Sequence, residues 1–374
     1  MNKYNFLSKE ERLVYETAIG FVGALARSGE CASRDWRADW AKVVELGWPG
    51  VLVPADFGGF EGSCVDILLL SQALGHGVLT TPFLICAALV APLMLGATEH
   101  HRSRWLPEML SGGARVVLAH EERSLDPLGN EVTTQVAPSG AGLALNGAKR
   151  MVLYGADADV LIVSARRADR TGDHGPELYR ILRSAAGVTV IPYRLIDGTE
   201  AADFIFRDVR LDDGALMGPP DKIGLVQVRR AQLLAVLCAV GEAIGCLETG
   251  MAATIKHVLT RRQFDKPLAE LQVVRHRIAD MYIAIEELRS LAFAAARTED
   301  DDERERTIRA AKIHLGQAGV GVAEQSVQLH GAMGVTEECV VGRVLKRITV
   351  LDRLFGGADY HIGQLGACLC ERAD

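Results

Sequence analysis

The amino-acid sequence predicts a mixed α+β protein in which a helical N-terminal region, a β-rich middle region and a longer helical C-terminal region follow one another. Apolar residues recur at helical spacing in the first and last thirds, whereas short β-branched runs replace them in the middle. The chain has 374 residues, which at about 100–200 residues per domain predicts two or three domains. We expect domains at 1–111, 112–220 and 221–374.

The N-terminal region is predicted to be helical, with turns at 46–50 and 57–60 where Gly and Pro collect. Its most apolar run, 84–97, contains Cys86 and Pro92 and is shorter than the roughly 20 residues that cross a bilayer. We expect a buried helix there and no membrane span. The first residues lack a basic and then apolar signal, which favours a cytoplasmic protein.

The middle region contains short apolar runs at 115–118, 159–163 and 188–191, separated by Gly, Asp and Ser clusters. No helical pattern lies between them, which is typical of an antiparallel sandwich or barrel. In the C-terminal region a helix is predicted from 226 to 261. The acidic run 299–303 lies between two helical patterns and predicts a solvated loop.

Composition excludes several classes of function. Lys and Arg number 41 against 48 Asp and Glu, and a net charge of −7 argues against binding to nucleic acid or to an anionic membrane. The eight cysteines form no C-x-x-C pair, so neither a zinc site nor a disulfide framework is indicated. A lone C-x-C at Cys368 and Cys370 is interpreted as incidental. His100 and His101 lack a third ligand at suitable spacing, so we expect no metal site.

Four stretches carry a resemblance that runs along the whole chain. They read Pro-Ala-Asp-Phe-Gly-Gly at 54–59, Leu-Asn-Gly-Ala-Lys at 145–149, Arg-Arg-Gln-Phe at 261–264 and Gln-Leu-His-Gly-Ala-Met-Gly at 328–334. In this order they resemble the N-domain loop, the β-domain hairpin over the flavin and two C-terminal signatures of the acyl-CoA dehydrogenase family. The resemblance implies an N-terminal helical domain, a middle antiparallel β-domain and a C-terminal four-helix bundle.

A narrower resemblance rests on segments 119–123, 151–155 and 354–359, which are similar to the small, β-type subunit of pimeloyl-CoA dehydrogenase and of other heteromeric members. It implies a heterotetramer with a second acyl-CoA dehydrogenase subunit, an acyl-CoA substrate, FAD as cofactor and an electron-transfer flavoprotein or similar acceptor. Heteromeric members act on bulky, dicarboxylic or sterol side-chain acyl groups, which implies lipid degradation or steroid catabolism.

The family's reaction removes a proton from the carbon α to a thioester and a hydride from the β carbon, which flavin N5 accepts. By resemblance Arg261 neutralises the FAD pyrophosphate across a subunit interface, and a guanidinium fork suits phosphate oxygens. Phe264 would pack on the cofactor. The resemblance places three further residues along the adenosine half, namely Gln328, Gly331 and Ala332.

The β-domain departs from the family pattern around the flavin ring. Resemblance places His120, Glu121, Met151 and Leu153 there. Glu121-Glu122-Arg123 replaces the usual threonine-glutamate-proline, and segment 125–129 replaces glycine-serine-aspartate. Met-Val-Leu at 151–153 replaces the usual aromatic-isoleucine-threonine. The threonine hydroxyl that would donate a hydrogen bond to flavin N5 is therefore missing. We expect an incompletely equipped flavin face.

The usual catalytic base is also missing from its two family positions. They are occupied by Gly356 and Ala235, and two usual CoA contacts read Leu233 and Val236. Neither hydrogen nor a methyl group takes a proton, so we expect a partner chain to supply the base, and the small residues suggest a wide acyl pocket. Two alternatives remain. In the first, the base is relocated to Asp352, or to Glu242, which lies about 10 Å along the helix from Ala235. In the second, the chain is a non-catalytic scaffold subunit.

Overall fold

Helices make up most of the first and last thirds of the computed structural model. It describes residues 4–27, 35–122, 128, 131–140, 142–169, 175–219, 222–336 and 338–370, the last three by backbone only. The helices in this part of the chain are α1 (Lys9–Arg27), α2 (Trp36–Glu45), α3 (Cys64–His76), α4 (Ala91–Gly96), α5 (Glu99–Leu110), α6 (Leu225–Thr260), α7 (Gln272–Arg297), α8 (Asp301–His314), α9 (Val320–His330), α10 (Val340–Arg353) and α11 (Ala358–Cys370).

Strands fill the middle of the chain, together with one short hairpin after α6. They are β1 (Val116–Ala119), β2 (Gln135–Ser139), β3 (Gly142–Leu153), β4 (Val160–Arg167), β5 (Glu177–Leu182), β6 (Val188–Arg194), β7 (Glu200–Leu211), β8 (Arg262–Gln263) and β9 (Lys266–Pro267). The three predicted apolar runs correspond to β1, β4 and β6. The prediction of helices, then a β-sheet, then helices is therefore confirmed.

The chain divides into two units by its internal contacts. The helical unit comprises Met1–Asp39, Ser63–Thr80 and Val236–Asp374, and the β unit comprises Trp40–Gly62 and Thr81–Ala235. These limits follow packing and therefore recombine segments that are distant in sequence. The three sequence-based domain limits stay a prediction.

The sequence predicted an antiparallel sheet, but the sheet of the β unit is mixed. Its strand order is β1-β4-β2-β3-β7-β6, with β5 on β4. β1 and β2 both pair parallel with β4, and the remaining ladders are antiparallel. β1 follows a helical segment and pairs with β4, which is not the next strand along the chain. Hairpin patterns in the sequence reveal only pairings between consecutive strands, so they do not reveal this one.

The stretch 145–149, which resembles the β-domain hairpin of the family, lies in the middle of β3, and β3 pairs antiparallel with β2. Between the pairs Leu145–Val209 and Gly147–Phe206 the register shifts by one residue, so residues 207–208 of β7 lie opposite Asn146 in a bulge. The Asn146 amide and Asp208 exchange two hydrogen bonds, of 3.0 and 2.9 Å, across that bulge. The ladder between β3 and β7 is therefore irregular at this stretch.

The helical unit packs α6 against α3 through small residues. A Cβ on Gly75 would lie 2.0 Å from the Glu242 carbonyl oxygen, and one on Gly245 would lie 2.0 Å from that of Gln72. Only glycine allows these backbones to approach so closely. The acidic run was predicted as a loop, but Asp300 caps α8 by accepting from the Glu303 amide at 2.7 Å. Acidic side chains stabilise a helix N-terminus, and the helix therefore begins within the run.

Two apolar helices bear on the membrane prediction. The run 84–97 forms a buried π-helical turn, Leu84–Val90, that continues into α4. In the described part of the chain, α6 alone is long and apolar enough to cross a bilayer, and 78% of its most apolar window is buried within the protein. Such burial is typical of a core helix.

Candidate functional site

The chain reverses sharply after α6 and exposes an aromatic ring. Arg261 follows the last helical residue, and β8 and β9 form a hairpin whose two turn residues are Phe264 and Asp265. Both have left-handed backbones, with φ of 53° and 60°. The Phe264 side chain is 83% exposed. A bulky residue in this strained conformation with its ring in solvent is typical of a functional element.

A pair of histidines joins this hairpin to the end of α9. The His257 and His330 rings stack with centroids 4.3 Å apart and planes inclined at 25°. Partial burial, then His330 and Arg261, lower the pKa of His257. Arg261 lies one helical turn after His257, and His330 belongs to the stretch 328–334. The stack therefore links the two stretches predicted to bind the cofactor, 261–264 and 328–334. Sequence reasoning missed this pair, although His330 lies within the quoted motif and His257 precedes Arg261 by four residues.

The end of α9 presents an open backbone beside the histidines. Gly331 has φ +65°, and a Cβ there would meet nothing within 4 Å. Gln328 and Ala332 are both exposed on either side of it. The exposed Arg261 guanidinium, an exposed aromatic ring and an accessible left-handed backbone suit phosphate oxygens and a flat ring. The residues predicted for the dinucleotide half of FAD therefore fit that group.

The predicted flavin-ring residues of the β unit are arranged very differently. The His120 ring is buried, with Nδ1 2.8 Å from Ser164 Oγ and Nε2 3.0 Å from the Leu128 carbonyl oxygen. Lys149, fully buried, donates to the His120 carbonyl oxygen at 3.1 Å, to Ser164 Oγ at 2.8 Å and to Glu122 Oε1 at 2.7 Å. Both ring nitrogens of His120 are thus engaged inside the unit, and neither is left for a cofactor.

Electrostatics explains why this cluster is stable. Burial, followed by Lys149, lowers the pKa of His120 to about 3, so the ring is neutral. Burial opposes ionisation of Glu122, but Lys149 and hydrogen bonds from Thr133 and Thr134 outweigh it and lower the carboxyl pKa to about 2. Burial lowers the pKa of Lys149 to about 8 against the attraction of Glu122. At neutral pH the cluster contains an ion pair and a neutral imidazole.

The other predicted flavin contacts of the β unit offer little to a ring. The Met151 amide, in a residue with φ 47°, donates to Asp203 Oδ1 at 3.0 Å. Leu153 is a buried aliphatic side chain without a donor. The carbonyl oxygen of Glu121 accepts from the Arg150 amide at 2.8 Å. The predicted departures at Arg123 and at 125–127 and 129 lie outside the described residues.

The two usual base positions are buried. Ala235 and Val236 are fully buried in α6, and Leu233 is half-buried. Gly356 is buried in the turn between α10 and α11, with φ +95°. Neither Gly356 nor Ala235 carries a group that takes a proton.

Glu242, one of the two relocated-base candidates, is held by an arginine. Its side chain is 8% exposed. Arg347 Nε donates to Oε1 at 2.5 Å and a terminal nitrogen donates to Oε2 at 2.8 Å. This bidentate pair joins α6 to α10 and engages both carboxylate oxygens. Glu242 is therefore a structural member of the helical unit in this conformation.

Asp352, the other candidate, is buried beside the vacant turn and faces inward. Its Oδ2 lies 3.4 Å from Arg353 Nε, and Oδ1 is buried without a hydrogen-bond partner in the described part of the chain. A Cβ on Gly316 would lie 2.5 Å from that Oδ1, so the oxygen points toward the π-helical turn Leu315–Gly319. Burial lowers the pKa of nearby Lys312 to about 7, whereas Asp352 raises it. The carboxylate is thus enclosed by protein.

Metal chemistry finds no support among the described residues, where no group of three or more potential ligands occurs. His101 is buried, with Nε2 3.1 Å from the Leu216 carbonyl oxygen, and therefore has a structural partner. The Cys368 and Cys370 side chains lie outside the described residues.

Comparison with known protein families gives two matches along the chain. The model "Acyl-CoA dehydrogenase, N-terminal domain" matches residues 8–113, and "Acyl-CoA dehydrogenase, C-terminal domain" matches residues 230–369. Together they cover most of the chain and lie in the predicted order.

Individual relatives extend the match to nearly the full length. "Acyl-CoA dehydrogenase FadE27" of Mycobacterium tuberculosis is 26% identical over 343 residues, which is 89% of this chain and 88% of that protein. The ChsE4-ChsE5 complex from Mycobacterium tuberculosis contains a chain with TM-score 0.85 and 24% identity, covering 98% of each chain. A variant of the Tcur3481-Tcur3483 steroid acyl-CoA dehydrogenase gives TM-score 0.82 and 24% identity, covering 98% and 99%. At this identity the structures show a shared fold.

Proposed function

Because this chain belongs to the acyl-CoA dehydrogenase family, whose members bind FAD, we propose that it is the small, β-type subunit of a heteromeric acyl-CoA dehydrogenase. The assembly would desaturate an acyl-CoA thioester between the α and β carbons. A partner acyl-CoA dehydrogenase chain would supply the base, and an electron-transfer flavoprotein or similar acceptor would reoxidise the assembly in the cytoplasm.

The observation that carries the proposal is the state of this chain's own candidate bases. Position 356 is a buried glycine, and position 235 a buried alanine. Glu242 has both oxygens on Arg347, and Asp352 is enclosed with an oxygen turned toward Gly316. Abstraction of an α proton requires a carboxylate within hydrogen-bonding reach of the carbon it attacks. Positions 356 and 235 carry no carboxylate, and the carboxylates of Glu242 and Asp352 are engaged or enclosed within the protein, which favours a base from another chain.

The contribution of this chain would be to the dinucleotide half of the cofactor. Arg261 would neutralise the pyrophosphate, Phe264 would cover the cofactor, and the backbone at Gly331 would approach its adenosine half. FAD, when bound, supplies the hydride acceptor for the reaction. In the buried cluster around Lys149 the ammonium donates to Glu122 and Ser164, so this described part of the β unit offers no free side-chain donor to a flavin ring, which supports a shared rather than a self-contained site.

The proposed substrate class is a bulky acyl-CoA, dicarboxylic or with a sterol side chain. Support comes from the steroid acyl-CoA dehydrogenase that shares the fold over nearly the whole chain, and from the ChsE4-ChsE5 complex as an example of two such chains together. Lipid degradation, including steroid catabolism, is the corresponding process.

Expression of the chain alone and together with candidate acyl-CoA dehydrogenase chains of the same genome tests the proposal. We expect the single chain to purify without a flavin absorbance band and without turnover, and one co-expressed pair to purify as a yellow, active complex. A single chain that binds FAD and oxidises an acyl-CoA would support the homomeric alternative with a relocated base.

Substitution of Arg261 separates the proposed subunit from a scaffold that binds no flavin. In the active complex Arg261→Gln should reduce FAD occupancy at least tenfold, because a desolvated guanidinium–phosphate pair is a strong contact. Arg104→Gln is the matched control, since it removes another exposed arginine, on α5. Unchanged FAD occupancy in Arg261→Gln would favour the scaffold.

A further inference from the structure

An aromatic ring covers Gly356 in the turn between α10 and α11. A Cβ on Gly356 would lie 2.5 Å from Tyr360 Cδ1, 3.1 Å from Tyr360 Cγ and 3.3 Å from His361 Nε2. Cγ and Cδ1 form the root of the ring, so movement of the hydroxyl end alone cannot relieve the overlap. The Tyr360 ring therefore occupies the place that a side chain at position 356 would take.

The position of this ring follows from the local sequence. Tyr360 is the third residue of α11, and side chains on a helix lean back toward its N-terminus. Gly356 lies just before that N-terminus with φ +95°, a conformation that residues with a Cβ rarely adopt. Position 356 is thus closed to a side chain by its backbone and by the ring.

His361 holds the turn between α10 and α11 through hydrogen bonds of its ring. It is fully buried, with Nδ1 3.2 Å from Arg309 and Nε2 3.0 Å from the Phe355 carbonyl oxygen. Arginine only donates, so Nδ1 accepts and the Nε2–H donates to Phe355. Glu305 holds the Arg309 guanidinium through two hydrogen bonds of 2.9 and 2.6 Å. Because His361 is next to Tyr360 in sequence, this chain of hydrogen bonds holds Tyr360 and the turn together.

We propose that Tyr360 is the residue that closes position 356, so that a carboxylate can work at this place only when its ring is removed. The catalytic meaning of this closure rests on the proposed function, which makes position 356 the vacant base position. The glycine does not by itself enlarge the site, because Tyr360 fills the space that the missing side chain leaves. This differs from the wide pocket that small residues suggested.

A double-mutant cycle on thermal unfolding tests the closure independently of any activity. The full chain, in the form in which it purifies, would carry Gly356→Ala, Tyr360→Ala or both. We expect Gly356→Ala to lower the unfolding midpoint clearly, and the loss to fall by about half in the Tyr360→Ala background, because the overlap is gone and the strained φ remains.

Two controls define the outcome. Gly357→Ala in the same turn should change the midpoint little, because a Cβ there would meet nothing nearer than 3.5 Å. Tyr360→Phe keeps the ring and should not relieve Gly356→Ala. Additive losses in the Tyr360→Ala background, or equal relief by Tyr360→Phe, would overturn the proposal.

A second measurement connects the closure to catalysis. In the active complex, Gly356→Glu with Tyr360→Ala should exchange the α proton of an acyl-CoA for solvent deuterium at least about tenfold faster than Gly356→Glu alone, above the wild-type background. Equal exchange in both variants would contradict the catalytic part of the proposal, which is that a carboxylate at position 356 works once the ring is removed. Coupling in the unfolding cycle without any gain in exchange would retain the closure by Tyr360 and reject position 356 as a base position.

Discussion

The two predicted halves of the cofactor site are built in opposite ways. After α6, Phe264 is 83% exposed on a left-handed backbone, and after α9 Gly331 presents open backbone. In the β unit, His120 and Lys149 are buried, and the Lys149 ammonium makes three hydrogen bonds within the protein. The first region is open to solvent, whereas the second is closed within the protein.

This difference separates ligand binding from stability within one chain. An exposed ring at a position with positive φ gains little from the described part of its own chain, which favours a role in binding another molecule. A buried ion pair whose polar groups are all hydrogen-bonded is costly to disrupt, and it has no donor left for a ligand. Substitutions in the open region should therefore change binding, and those in the closed region should change folding.

The largest effect is expected from Lys149→Met, which leaves the Glu122 carboxylate buried without its cation. Loss of one partner from a buried pair typically costs about 3–5 kcal/mol of unfolding free energy. We expect a loss of this size in urea unfolding of the purified protein.

The double variant Lys149→Met with Glu122→Gln is the control for that measurement. It removes both charges and should recover part of the loss, since no buried charge then lacks a partner. If Lys149→Met leaves stability intact and instead reduces FAD binding, the closed region is a ligand site and the comparison fails.

An intermediate effect is expected from acid. The pKa of the buried His120 is lowered from 6.5 to about 3, so the folded state favours the neutral ring. The stabilisation is fully present above about pH 6.5 and is lost as the pH falls toward 3, because the unfolded chain takes up the proton first. At about 1.4 kcal/mol per pKa unit, the loss across this range is a few kcal/mol.

His120→Asn should flatten the dependence of unfolding free energy on pH between 6.5 and 3, relative to the wild-type protein. His361, whose pKa burial also lowers to about 3, contributes in the same range and leaves a residual slope. The half-buried His257 provides the matched control, since His257→Gln should leave the slope close to that of the wild type. An unchanged profile in His120→Asn would show that this ring is solvated in solution.

Sequence patterns predicted the element order because the spacing of apolar residues reflects which face of a helix or strand is buried. That spacing can be seen within each element without knowledge of its partners. Motif order likewise predicted that Arg261 and Gly331 belong to one site, and both residues are exposed in the structure. The partners of Glu242 and Gly356 could not be predicted in this way. Arg347 lies 105 positions after Glu242, and the choice of that partner depends on how α10 packs on α6. The glycine at position 356 indicated an empty place, whereas the helix that follows it fills that place with Tyr360.

The smallest effect is expected from the open region, and its sign is the most informative. Phe264 has φ 53°, a conformation that costs a residue with a Cβ about 1–2 kcal/mol, whereas glycine adopts it freely but loses more entropy on folding. Phe264→Gly should therefore raise the unfolding free energy of the purified protein by about 0.5 kcal/mol and lower FAD occupancy of the active complex. Phe264→Ala keeps the backbone strain and removes the ring, so it should lower FAD occupancy without the gain in stability. A loss of stability in Phe264→Gly would mean that the ring packs on its own chain, and the hairpin would then belong with the closed region rather than with a site completed by another molecule.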